Sequence, residues 1–213
     1  MLKDLKITEF LDELSSNSPA PGGGSTAALA AATAASLTCM VFNLTIDKKV
    51  YNESSAEIQS EIKLQLEKAS KLNTLFIELM DKDSEAFTDV ITAFKMPKET
   101  EEEKTKRQVA IQKGYVVALE VPLELATKAY GLYSSIEVAA AYGNKNAISD
   151  AGVAALMLQA AIEGAILNVN INLSNIKDKE FKEKVLEHCN KIIKDGMMRK
   201  EEIMVVVNSK ITN

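Results

Sequence analysis

Of two neighbouring aspartates, Asp81 and Asp83, the second is placed by spacing to move a proton in this 213-residue chain. Leu72, Leu75, Phe76, Leu79, Met80, Phe87, Val90, Ile91 and Phe94 recur at steps of three and four. That pattern predicts one face of a long helix from about Ser54 to Phe94, ended by Met96-Pro97. Asp83 falls on the apolar face between Met80 and Phe87. Asp81 lies about 200° away around the axis, among Glu78, Lys82 and Glu85, and is expected to face water. An inward aspartate must be paired, hydrogen-bonded or protonated, because a bare buried charge is costly. Desolvation raises its pKa toward the range useful for acid–base work. The same position also fits a structural aspartate satisfied by a serine, an asparagine or a helix start.

A second candidate is Pro19-Ala20-Pro21-Gly22-Gly23-Gly24-Ser25. Glycines running into a helix start offer free N–H groups and the positive end of the helix dipole, suited to a carboxylate or developing anion. They also permit positive φ and close approach, and Ser25 could cap the helix. The spacing fits neither a Walker nor a dinucleotide loop. A plain interhelical connection is the alternative, although three adjacent glycines carry an entropy cost it would not need.

A third group comprises Asn144, Ser149, Asp150, Asn168 and Asn172. Asn168 and Asn172 share a helix face if their stretch is helical, and could present amides to a flat heterocycle. A polar network between helices or subunits, with Ser149 a mere cap, explains them equally. Asn43, and Lys48 and Lys49 beyond it, close the second helix. The lysines could answer its C-terminal dipole or bind an anionic tail. His188 has no evident partner and reads as surface or packing.

The elements that must carry these residues are helices. One begins near Thr8 with Phe10, Leu11 and Leu14 on one side. The next follows the glycines and is apolar nearly all round, as a helix buried on every side would be. The charged run Thr100–Arg107 suits a helix start with an acidic first turn. That helix continues to about Ala141, with a kink or break at Pro122, and Gly143-Asn144 marks a turn. A fifth helix runs from about Ser149. Asn168–Leu173 alternates like a strand but continues an Ala-rich helical pattern, so helix is favoured. A last helix starts near Asp178, a plausible cap. The expected fold is an all-α single-domain bundle over 1–213.

Net charge is -5 and pI about 5.2, which argues against nucleic-acid binding but not against a small anion held by local lysines. Cys39, Cys189 and the single His188 give no zinc pattern. The segment Ala27–Ile46 is long and apolar enough to span a bilayer, but its Ala, Thr and Ser content favours a buried core helix. The N-terminus has no signal-peptide core, so no membrane association and a cytoplasmic location are expected.

The stretches SPAPGGGSTAALAAATAASLTCMVFNLT, Tyr51, DKDSEAFTDV, VPLELA, GNKNAISDAG and NVNINLSNIKD resemble the formiminotetrahydrofolate cyclodeaminase and methenyltetrahydrofolate cyclohydrolase family, in the family's order and over nearly the whole chain. The resemblance implies an all-α homodimer with a cleft near the subunit interface. It implies a tetrahydrofolate derivative as substrate, with no metal and no further cofactor, and a reaction that closes or opens the ring joining N5 and N10. It puts the catalytic aspartate at Asp83. Gly22, Gly23, Gly24, Ser25, Asn43, Lys48, Ser149, Asp150, Asn168 and Asn172 fall on matching motifs as substrate-binding candidates. The chain lacks the formiminotransferase domain of fused members, so formimino transfer is not expected. A non-catalytic helical scaffold or folate-binding module is the competing class.

Overall fold

A computed structural model describes residues 1–212, and among these residues the regular structure is helical throughout. The helices are α1 (Ile7–Leu14), α2 (Gly23–Asn43), α3 (Lys49–Asn52), α4 (Ala56–Phe94), α5 (Glu101–Tyr142), α6 (Ile148–Leu173) and α7 (Lys179–Thr212). Short 3-10 turns cover Leu2–Asp4 and Lys145–Ala147. The Asn168–Leu173 stretch is helical, as the preceding pattern favoured.

Local chemistry sets the boundaries. The Ser55 hydroxyl accepts from the Ile58 N–H to start α4. Thr100 and Glu103 form a reciprocal capping box on α5, followed by the expected acidic first turn. Asp178 Oδ1 accepts from the Phe181 N–H at 3.0 Å and starts α7. Pro122 neither breaks nor ends α5, which runs through it unbroken.

Helix α2 lies between α4 and α6, α5 closes the group against α4 and α6, and α7 packs on α5 and α6. The centre is built from alanines: Ala28, Ala31, Ala34 and Ala35 of α2 face Ala-rich α6, whose Ala151, Ala154, Ala155, Ala161 and Ala165 are fully enclosed. Small side chains let the backbones approach closely, and Phe42, Phe76 and Tyr133 fill the wider gaps. Helix α2 is not enclosed on every side, however. Leu29, Thr33, Ser36 and Met40 leave an exposed line along it, because only α4 and α6 cover its flanks fully. Both α2 and the Lys145–Leu173 segment are apolar and long enough to cross a bilayer, yet about half of each is packed inside this bundle.

A polar lock joins the last three long helices. Arg199 makes a bidentate pair with Glu137 at 2.6 and 2.7 Å and stacks over Tyr130 and Tyr133. Tyr133 donates to Gln159 Oε1 at 2.6 Å, and burial pushes its phenol pKa up.

The structure corrects the placement of Asp81. It is 6% exposed rather than solvent-facing. The N-terminal turn folds over that side of α4, the Leu2 N–H donates to Asp81 Oδ1 at 2.6 Å, and Lys3 Nζ sits 3.9 Å from Oδ2. Helical periodicity cannot see a cover supplied from the far end of the chain. Asp81→Ala is therefore expected to lower stability by about 1–3 kcal/mol, the worth of buried hydrogen bonds to a charged acceptor. Thermal unfolding should show it as a fall of several degrees in Tm; an unchanged Tm would mean that the turn is not anchored there.

Candidate active site

The start of α2 and the middle of α4 meet at a single point. Gly22 is the N-cap position, extended at φ -138°, and no glycine among the described residues adopts positive φ. What the glycines supply is proximity. A Cβ built on Gly24 would lie 2.0 Å from Asp83 Oδ1 and 2.5 Å from Oδ2, so only glycine admits the carboxylate there. A Cβ on Gly23 would meet Asn168 Nδ2 at 3.3 Å, whereas Gly22 has open space.

Ser25 is not the cap. It lies fully buried inside the first turn, its hydroxyl 3.1 Å from both the Met80 carbonyl and Asp83 Oδ2, able to donate to either. Asp83 is thus half-buried against the positive end of α2. Desolvation raises its pKa above the usual carboxylate value, while hydrogen bonds from the Ser25 hydroxyl and backbone pull the other way.

Asp83 forms part of the wall of a cavity of about 370 Å³. Pro19, Ala20 and Gly22–Gly24 form one side; Ser84, Phe87, Val90, Ile91 and Phe94 continue along α4; Tyr115 and Ala118 come from α5; Asn168, Ile171, Asn172 and Asn175 close it from the end of α6. Phe87, Ile91 and Phe94, placed by periodicity on the packed face, are 36–43% exposed and line this cavity instead. The stripe was legible, but whether it met a neighbour or a void was not. Phe94 and Tyr115 meet edge-on at 6.2 Å, and Arg107 donates twice to the Phe94 carbonyl, fixing the end of that wall. Tyr115, Ser84 and Asn175 carried no distinguishing sequence signal.

The amides are oriented by backbone. Asn168 Nδ2 donates to the Gly164 carbonyl at 2.8 Å, and Asn172 Nδ2 donates to Ala118 and Asn168 carbonyls at 2.9 and 3.0 Å. Asn172 thereby commits both of its N–H donors and Asn168 one of its two, and both residues retain Oδ1 as an acceptor on a flat, largely apolar slot. Such a slot suits a planar heterocycle with N–H groups along one edge, held beside a carboxylate able to take or give a proton.

Four predicted residues lie elsewhere. Asn43 and Lys48 are exposed at the far end of α2, about 30 Å from Gly23 at 1.5 Å per residue. Ser149 and Asp150 sit at the start of α6, about 27 Å along it from Asn168. The two helices run antiparallel, with Gly23 beside Asn168 and Leu44 bonded to Asn144, so one protomer cannot bring these groups to Asp83. Asn144 joins the α2 end to the α5–α6 turn, accepting nothing from the cavity. Lys49 pairs with Glu53 at 3.7 Å, and His188 touches the Thr127 hydroxyl at 3.0 Å. Among the described residues no group of three His, Cys, Asp or Glu is placed to hold a metal.

Gly24→Ala is expected to expel the carboxylate toward solvent. Site-specific NMR titration should then find the Asp83 pKa back near its ordinary value, and urea unfolding should show a loss of about 1–3 kcal/mol from overpacking. Gly131→Ala, with open space around it, should keep the Asp83 titration and lose no stability. A Gly24→Ala protein with an unmoved Asp83 pKa would contradict the contact.

The family model described as formiminotransferase-cyclodeaminase matches residues 6–191. The chain is 38% identical to a methenyltetrahydrofolate cyclohydrolase of Methylorubrum extorquens, over 96% of this chain and 97% of that protein. It is 37% identical over 88% of its length to the formimidoyltransferase-cyclodeaminase of Gallus gallus, of which it spans only 34%. The crystal structure of a formiminotetrahydrofolate cyclodeaminase from Thermotoga maritima superposes with a TM-score of 0.80 at 28% identity, covering 99% of this chain and 97% of that one. By sequence along most of its length, and by fold, this chain belongs to the formiminotransferase-cyclodeaminase family.

Proposed function

We propose that this chain is a folate-dependent one-carbon enzyme that forms or opens the 5,10-methenyl bridge of tetrahydrofolate, with Asp83 as its acid–base group. The observation that carries the reading is a raised-pKa carboxylate held against Gly24, at the wall of a slot with amide acceptors and aromatic sides. The slot takes the reduced pterin, with Asn168 and Asn172 accepting from its N–H edge.

In the deaminase direction, N10 attacks the formimino carbon on N5. Asp83 takes the N10 proton and returns it to the exocyclic amine, the C–NH2 bond breaks, and ammonia leaves as the methenyl bridge closes. In the hydrolase direction, water attacks the bridge carbon and gives its proton to Asp83. Asp83 then gives that proton to N5 as the N5–C bond breaks, the carbinol hydroxyl loses its proton to solvent as C=O forms, and 10-formyltetrahydrofolate results. Carbon keeps its oxidation level in both, so the chemistry asks only for proton movement and positioning. The full-length relative supports the hydrolase and the structural neighbour the deaminase.

Both substrates should be assayed directly by methenyl absorbance. Asp83→Asn is expected to reduce kcat by about 10²–10⁴-fold on whichever is turned over. The wild-type rate should fall on an acid limb above the ordinary aspartate pKa, and the mutant should lack that limb. Because the native pKa is raised, the folded state holds this proton more tightly than the unfolded chain. The associated stability is present at low pH and lost as pH rises through the native value. Asp83→Asn should therefore be no less stable than wild type at neutral pH. Wild-type turnover in a folded mutant sinks the assignment.

The reading includes a homodimer. Val153, Leu156, Leu167 and Ile171 form an exposed apolar line on α6, ending at the cavity. Antiparallel pairing of two such lines would carry Ser149 and Asp150 of the partner subunit toward the Asn168 end. Leu167→Glu is expected to yield monomers in light scattering; a persisting dimer would place the interface elsewhere.

A further inference from the structure

Pro122 lies buried in the interior of α5, between elements that otherwise follow helical rules. A proline there has no N–H to offer the carbonyl four residues back, and its ring pushes that carbonyl off the helical ladder. The carbonyl is that of Ala118, on the cavity wall. It is not left unpaired: Asn172 Nδ2, reaching across from α6, donates to it at 2.9 Å. The second amide hydrogen goes to the Asn168 carbonyl at 3.0 Å. Two acceptor carbonyls on two different helices fix the plane of the Asn172 amide and leave Oδ1 as its acceptor.

We propose that Pro122 is a positioning residue: by withholding its N–H, it reserves the Ala118 carbonyl for Asn172 and so sets the acceptor that reads an N–H donor on a flat heterocyclic ligand. The nature of the ligand rests on the folate reading above; the geometry does not. An ordinary residue at 122 would place a helical N–H on the Ala118 carbonyl and draw it back onto the ladder, so Asn172 would share that carbonyl instead of holding it alone and its anchor to α5 would loosen. Burying a proline within a helix is unfavourable, so its presence at this turn trades helix stability for the orientation of one amide.

Pro122→Ala, Asn172→Ala and the double variant test this, with tetrahydrofolate itself as the unreactive ligand. Pro122→Ala should raise Tm, because the helix regains a hydrogen bond, and yet weaken tetrahydrofolate binding by about tenfold. A merely structural role would move stability and binding in the same direction. Asn172→Ala should weaken binding to a similar degree, and the double variant should be no weaker than either alone, since both act through one amide. The Asn172 side-chain amide resonances should shift in Pro122→Ala. Unshifted resonances, or losses that multiply to about a hundredfold, would overturn the proposal. Wild-type protein that binds tetrahydrofolate but turns over neither bridged folate would sink the enzymatic reading and leave the positioning intact. If wild type binds no tetrahydrofolate, the amide resonances and Tm still decide.

Discussion

The carboxylate of Asp83 occupies the space that any side chain at position 24 would need. Because Cβ and Oδ1 would stand 2.0 Å apart, the carboxylate can hold this position at the α2–α4 crossing only while residue 24 is glycine. The rest of the site follows from that crossing. It places a carboxylate at a helix N-terminus, where the dipole and the Ser25 hydroxyl favour the anion while desolvation opposes it. It sets α4 so that Phe87, Ile91 and Phe94 line the cavity, with Phe94 edge-on to Tyr115. It also leaves Gly23 in contact with Asn168, tying the floor of the slot to the end of α6.

Partial burial of a carboxylate, apolar side chains left exposed along a cavity, and a proline inside a helix are each unfavourable for folding taken singly. All three converge on one cavity. The middle of the bundle shows the contrary arrangement: Tyr133 bonds Gln159, Gln159 bonds Glu163, and Arg199 bonds Glu137, which holds α5, α6 and α7 together. The alanine-packed centre and this lock hold in place the helices that carry the site.

The length of α2 and α6 divides the residues the family pattern groups together. Antiparallel helices about 30 Å long hold Asp83, the glycines, Asn168 and Asn172 at one end and Asn43, Lys48, Ser149 and Asp150 at the other. In the proposed dimer a second copy, laid along the exposed line of α6, would bring both groups to one ligand. Asp81 belongs to neither group: it acts as an anchor for the N-terminal turn.

The amino-acid sequence alone determined the six longer helices and most of their ends, because capping, turn residues and the 3.6-residue period are local properties; the short α3 had no such signal. It also separated Asp83 from Asp81, since position around a helix follows from spacing. What covers each face was decided only by tertiary structure. Asp81 proved buried under a segment some eighty residues away in sequence, and Phe87 proved to line a cavity. The glycine run was legible as unusual, but its reason, a carboxylate brought against Gly24 from another helix, depends on a crossing that no local pattern encodes. Pro122 was legible as a helix disruption, yet the carbonyl it frees gains a partner only because α6 packs beside it.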